Sequence, residues 1–313
     1  MKTTMRAVQI KAFGGIDQLE CVNTAIPSIN KDEVLVKINA ASVNPVDWKI
    51  REGNLAEVFP RTFPLTLGWD FSGEIVALGE NIQNWSVGDQ VYSRPDLARN
   101  GSYAEYISVV ASEIANKPQS LDHQHAAAVP LVTLTAWQAL YELAQLKVGH
   151  RVLIHAGAGG VGIAAIQLAK LKGAYVYTTA SSSNTQFLQE LGADEVIDYK
   201  LEDFSKLREL DVVFDTLGGE VQDKSWQTLK KNGFLVSIAQ SPEQEKATRF
   251  GVRSEFCFVQ PSSDQLTEIA ALIDSHKLKV VIDSVYPLDE IVQAHQKSET
   301  GHTRGKIVLQ VAN

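Results

Sequence analysis

Hydrophobic and polar positions change rhythm once along this chain. From Met5 to about Ala115 they alternate in short runs such as Glu33–Asn39, Gly73–Leu78 and Gln90–Ser93, broken by proline and glycine, and this predicts a β-rich module. From about Asp122 helical stripes separate buried strands, predicted at Arg151–His155, Tyr175–Ala180, Glu195–Tyr199, Asp211–Asp215, Gly233–Ala239 and Glu255–Val259. Such a series predicts a doubly wound parallel sheet, so the fold class is α/β. The tail ends in an alternating run, Lys306–Val311, that follows no helix of the series and is expected to return to the first module. The β-rich module is therefore read as discontinuous, 1–121 and 261–313, around an α/β module at 122–260. Ligands of open α/β sheets bind at the carboxyl ends of the strands, so a substrate is expected there, in a cleft between the modules.

The most informative segment joins the first α/β strand to the next helix. Gly157, Gly159 and Gly162 fit G-x-G-x-x-G, followed by an apolar stripe of Val161, Ala165 and Leu168. Gly157 is expected to permit a sharp turn, Gly159 a close approach to a pyrophosphate, and Gly162 tight helix packing. With Gly160 and Val161 between them, these residues would open the helix and offer its positive end to phosphate. An NAD site usually ends its second strand with an acid on the ribose 2′-hydroxyl. Here that end reads Thr178 to Asn184 without a carboxylate, which favours NADP(H), with Ser181 and Ser182 as hydroxyl donors. No Arg or Lys lies in that loop, although Lys200 lies further on. Ser237 and Ile238 close the fifth strand and are expected near the same ligand.

Composition narrows the class. Hydrophobic residues make up 44% and charged residues 21%, as in an ordinary globular protein, and no apolar run approaches the length of a membrane span. The N-terminus reads as a first strand and not as a signal peptide, so the expected compartment is the cytoplasm. A net charge of −8 without a basic stripe disfavours nucleic acid, and the cluster Lys224–Lys231 reads as a solvated helix face. Cys21 and Cys257 support neither a disulfide framework nor a metal site, and His123 and His125 sit in a helix-opening stretch with no third ligand nearby.

Further motifs run through nearly the whole chain: Asn44-Pro45-Val46-Asp47-Trp48-Lys49, Leu67-Gly68-Trp69-Asp70-Phe71-Ser72-Gly73, Val87-Gly88-Asp89-Gln90-Val91-Tyr92, Gly101-Ser102-Tyr103-Ala104-Glu105-Tyr106, Leu134-Thr135-Ala136-Trp137 and Gly305-Lys306-Ile307-Val308-Leu309. With the glycine turn they resemble the medium-chain dehydrogenase/reductase superfamily, in its zinc-free quinone oxidoreductase branch. The resemblance implies a GroES-like catalytic domain, a Rossmann domain for NADPH (NADP+) and a homodimer. Zinc alcohol dehydrogenases of that superfamily keep a cysteine where this chain has Asn44 and a His-Glu pair where it has Trp69-Asp70, so no metal is expected.

Without a Lewis acid, the fitting acceptor is a quinone or a carbonyl-conjugated alkene, which takes hydride at carbon and spreads the charge onto oxygen. Asn44 and Lys49 are the candidate catalytic residues. Many quinone reductases of this branch carry a tyrosine where this chain has Lys49, which would stabilise an enolate or hold a ribose hydroxyl. The resemblance also places Thr135, Tyr199, Phe258 and Lys306 against the cofactor. Two alternatives stay open: an alcohol or aldehyde oxidoreductase of the same superfamily, and a non-catalytic NADPH-binding protein.

Overall fold

A computed structural model of the chain describes residues 3–312. Eight strands come first: β1 (Thr4–Ile10), β2 (Glu20–Ala25), β3 (Glu33–Val43), β4 (Leu65–Thr66), β5 (Phe71–Leu78), β6 (Gln90–Ser93), β7 (Tyr106–Val110) and β8 (Ile114–Asn116). Six more follow: β9 (Arg151–Ile154), β10 (Tyr175–Ala180), β11 (Glu195–Asp198), β12 (Leu210–Asp215), β13 (Leu229–Ser237) and β14 (Arg253–Phe256). The last two are β15 (Ile282–Pro287) and β16 (Lys306–Gln310). Four helices bear on the site: α1 (Pro45–Arg51), α2 (His123–Ala127), α3 (Pro130–Trp137) and α4 (Gly160–Leu171).

The chain divides into two compact units. One takes residues up to Leu131, Gln260–His276 and the stretch from Val280. Its main sheet has the order β15-β16-β3-β5-β6-β8, with β7 also on β3, and a small sheet runs β2-β1-β4. β16 pairs antiparallel with the end of β3, Ile307 opposite Val43 and Leu309 opposite Ala41. That pairing extends β3 to Val43, beyond the Asn39 suggested by alternation alone, because residues 40–43 all gain partners on β16, and Ala40 and Ala41 also on β5. Trp69, Phe71, Val36, Ile38 and Ile307 are among the side chains that fill its core.

The other unit holds Val132–Val259 and Lys277–Lys279. Its six strands are all parallel, in the order β11-β10-β9-β12-β13-β14, so the strand sequence reverses between β9 and β12. β9, β10 and β12 are buried almost throughout, as strands covered on both faces must be, which explains their continuous apolar runs. Two expectations shift. β14 begins at Arg253 and ends at Phe256, so Cys257 to Val259 lie beyond it. Lys230 and Lys231 belong to strand β13, and only Lys224 of that basic cluster is helical, because strand pairing begins at Leu229 opposite Leu210. No helix among the described residues is long and apolar enough to cross a membrane.

The loop between β4 and β5 is set by Gly68, whose φ is +92° and whose added Cβ would lie 2.2 Å from the Tyr103 ring. Its carbonyl accepts the Ser102 amide at 2.7 Å. Gly68→Ala would combine a left-handed backbone with overpacking, and a loss of about 3 kcal/mol is expected in urea unfolding.

Candidate functional site

In the α/β unit, β9 runs through a five-residue turn, 155–159, into α4, at the point where strand order reverses. The left-handed residue of this turn is Ala156, with φ +51°, and not Gly157. Gly157 is required by crowding: a Cβ there would meet Thr178 Oγ1 at 2.1 Å. Gly162 is required similarly, its Cβ falling 2.4 Å from the Ala156 carbonyl, so it packs the helix onto the turn itself. Gly159 differs, since a Cβ there would only touch the Ala156 oxygen at 3.4 Å. The turn is thus packed on two sides and open at the glycine that caps α4, where Gly160, Val161 and Gly162 begin the helix with amides free of intrahelical partners.

Polar groups at neighbouring strand ends hold the turn. Thr179 Oγ1 accepts the Ala156 amide at 3.1 Å, and Thr178 Oγ1 donates to the Ile154 carbonyl at 2.8 Å. His155 is fully buried, with Nδ1 3.2 Å from Thr179 Oγ1 and Nε2 2.9 Å from Ser225 Oγ. Burial holds its imidazole well below the ordinary range, against the pull of Asp215. Asp215, at the end of β12, accepts the Leu217 and Gly218 amides, the Ser237 hydroxyl and the Gln222 amide. Ser237 is therefore an internal tie between β12 and β13, and Ile238 beside it is half-buried.

At the end of β10, Ser181 Oγ lies 3.1 Å from Ser183 Oγ and accepts the Asn184 amide, while Ser182 is exposed. The loop itself has no acid, but Asp198 at the end of β11 accepts the Ser182 amide at 3.1 Å and the Lys200 amide at 2.9 Å. Backbone amides hold its carboxyl below the usual range. Sequence order concealed this neighbour, because only the parallel pairing of β10 with β11 sets Asp198 opposite Ala180. Tyr199 is exposed, with Lys200 Nζ 5.8 Å from its ring. Phe258 is partly exposed beyond β14, and Thr135 is buried on α3.

In the β-rich unit, Asn44 precedes α1, and Pro45 opens it with the fixed φ a first turn prefers. The Asn44 amide N–H donates to Asp47 Oδ2 at 2.7 Å, and the Tyr103 hydroxyl donates to the same oxygen at 2.6 Å. Burial pushes the Asp47 carboxyl up to about 7 despite those bonds. The Asn44 side chain is committed at both ends, Nδ2 donating to Asp70 Oδ2 at 2.8 Å and Oδ1 accepting from Lys306 Nζ. Lys306 also donates to the Val43 carbonyl at 2.9 Å and stands 3.4 Å from Asp70 Oδ2. Asp70 further accepts Ser42 Oγ and the Leu131 amide. Asn44 and Lys306 are thus parts of one enclosed network. Lys49, one turn into α1, is half-buried with Nζ 5.7 Å from the Trp48 ring centroid. Among the described residues no hydrogen bond or ion pair engages its ammonium, and burial lowers its pKa.

This donor set does not suit a divalent ion. Asn44 Oδ1 and Asp70 Oδ2 already face the Lys306 ammonium, so a cation carried by the chain stands against the oxygens a metal would use. His123 Nδ1 lies 2.8 Å from Ser72 Oγ and His125 Nδ1 2.8 Å from Asp122.

Residues 30–119 match the family model of the alcohol dehydrogenase GroES-like domain, and 191–309 that described as zinc-binding dehydrogenase. The chain is 33% identical to the "NAD(P)H oxidoreductase RTN4IP1, mitochondrial" of Danio rerio, over 99% of this chain and 92% of that protein. It is 34% identical to the "Chloroplast envelope quinone oxidoreductase homolog" of Arabidopsis thaliana, over 98% of each. The solved quinone oxidoreductase of Coxiella burnetii shares 39% identity and a TM-score of 0.94, covering 99% of this chain and all of that one.

The His155 tie has a measurable signature. Its folded pKa is depressed, so the imidazole takes a proton in the unfolded chain first, and stability falls as pH drops below the ordinary histidine range. His155→Gln cannot take that proton. The stability gap between wild type and this variant is expected to shrink by about 2 kcal/mol between pH 7 and pH 5 in urea melts.

Proposed function

Because the chain belongs to the medium-chain dehydrogenase/reductase superfamily, in its quinone oxidoreductase branch, we propose that it reduces a quinone or an α,β-unsaturated carbonyl compound with NADPH and without zinc. The observation that carries this reading is the β9–α4 turn, crowded by protein at Gly157 and Gly162 and open at Gly159. Residues 157–162 would cradle the pyrophosphate on backbone amides. Ser181, Ser182 and Tyr199 would serve the adenosine phosphate, and Thr135, Ile238 and Phe258 the nicotinamide end. When bound, NADPH supplies the hydride.

The chain's own contribution is to place and stabilise charge. Among the described residues no hydrogen bond or ion pair holds the Lys49 ammonium, so it would be free to meet an oxyanion forming on the acceptor. Asn44 acts behind it: with both ends of its amide committed, it fixes the start of α1 and so the direction of Lys49. Lys306 and Ser237 take supporting parts for the same reason. The Lys306 ammonium standing against Asn44 and Asp70 supports the zinc-free reading.

We place the protein in the cytoplasm as a homodimer joined along β14, whose outer edge has no partner strand among the described residues. Light scattering is expected to give twice the 34.3 kDa chain mass; a monomer would remove that part.

Steady-state assays with NADPH are expected to show turnover on some quinones or enones, unaffected by chelators and without stoichiometric zinc in the purified protein. Lys49→Met should lower kcat/KM by about tenfold or more. In wild type the rate should fall on the alkaline side below the usual lysine range, because the Lys49 charge is lost early, and the variant should lack that limb. Activity that follows zinc content would overturn the metal-free reading, and bound NADPH that no acceptor oxidises would leave a binding protein.

A further inference from the structure

Two arginines of the β-rich unit stand out because each keeps buried N–H groups that nothing in the protein satisfies. Arg94, at the end of β6, is only 2% exposed, and neither its Nε nor its Nη2 has a hydrogen-bond partner. Arg61 is half-buried, and its Nε and Nη2 are likewise unpartnered; only Nη1 is engaged, on the Leu97 carbonyl. Its guanidinium lies 5.5 Å from the ring centroid of Trp69, whose indole N–H is also without an acceptor. Antiparallel pairing of Phe71 with Ser93 brings Arg94 next to Asp70, and Arg61, over Trp69, reaches the Leu97 carbonyl three residues beyond Arg94, so both arginines lie near Trp69-Asp70. Asp96 acts on both, and Asp70 and Glu113 also on Arg94.

Nearby acids do not fill the gap. Asp70 is taken by Ser42, Asn44 and Leu131, Asp96 by the Ala98 amide at 2.8 Å, and Glu113 by the Asp96 amide at 3.1 Å. No ion pair engages either guanidinium among the described residues. A buried, unpaired cation is strongly unfavourable, and packing alone would be served as well by an apolar side chain of similar length. A guanidinium edge with two unpartnered N–H groups matches a planar carboxylate.

We propose that Arg94 and Arg61 form a subsite for a carboxylate on the acceptor, so that the enzyme acts on conjugated carbonyl compounds that carry an acid group. This rests on the reductase reading above. The acid is a handle and takes no part in the reduction: the β-carbon gains hydride from NADPH, the α-carbon gains a proton from solvent, and the saturated keto acid and NADP+ result. Arg61 would exchange its contact with the Leu97 carbonyl for the incoming carboxylate.

The test pairs acids with their own esters. Calorimetric titration of the full chain with levulinate, a saturated keto acid, should show saturable binding that its methyl ester lacks, and Arg94→Met should weaken it by about tenfold or more. With NADPH, acetylacrylate should be reduced with a higher kcat/KM than its methyl ester, and Arg94→Met should lower the acid's value about tenfold more than the ester's. The ligand-free Arg94→Met protein should melt no lower than wild type, because it loses an unpaired buried charge. Should that variant fail to fold, Arg61→Met is measured in its place, with the same expectation. Equal binding of levulinate and ester, or an acid preference that survives substitution, would overturn the subsite. If neither acceptor is turned over, the reductase reading fails, and the levulinate titration decides the subsite by itself.

Discussion

The ammonium of Lys306 is sealed inside the β-rich unit with Asp70 as its counter-ion at 3.4 Å and the oxygens of Val43 and Asn44 as hydrogen-bond acceptors. Four separate segments meet on that charge: the end of β3, the entry to α1, the Trp69-Asp70 loop and β16. Removing either member would leave an enclosed charge unpaired, at a cost of about 3–5 kcal/mol, so none of these segments can move independently. The orientation of α1, and with it the placement of Lys49, follows from this pin. The Asp47 carboxyl, held by Tyr103 and the Asn44 amide, extends the network one step further into the core.

The α/β unit solves a different problem with short polar groups. Its strands end together around the glycine turn, and each end carries a short polar side chain that satisfies backbone left over by the sheet: Thr178 and Thr179 on β10, Asp215 on β12, Ser237 on β13. His155 links the Thr179 tie to Ser225 while its imidazole is held neutral, so the turn is held without a cation behind it. A rigid turn lined by amides meets an anion with little reorganisation.

Much of this was legible in the sequence. Alternation located β6 residue for residue, the continuous apolar runs located β9, β10 and β12 to within a residue, and the glycine spacing marked the turn between β9 and α4. What it concealed were choices made at long range. The positive φ at Ala156 and the crowding of Gly157 by Thr178 depend on β10 packing beside the turn, which spacing does not encode. Asp198 looked remote from the Ser182 loop until parallel pairing brought it there. Asn44 reads as a candidate catalytic residue, whereas both ends of its amide are held by residues 26 and 262 positions away. Arg94 carried no signal at all, since a lone arginine after a strand is ordinarily solvated and only the fold shows that it is enclosed.

The distance in sequence between Asn44 and Lys306 bears on how the molecule matures. During synthesis the strands β1 to β8 leave the ribosome long before the lysine that neutralises Asp70, and they must wait with a buried acid uncompensated while the whole α/β unit is made. The ties around the glycine turn lie within residues 154–240 and wait for no later segment. A nascent chain would therefore complete its middle first and close its N-terminal half last, with the final strand as the fastening.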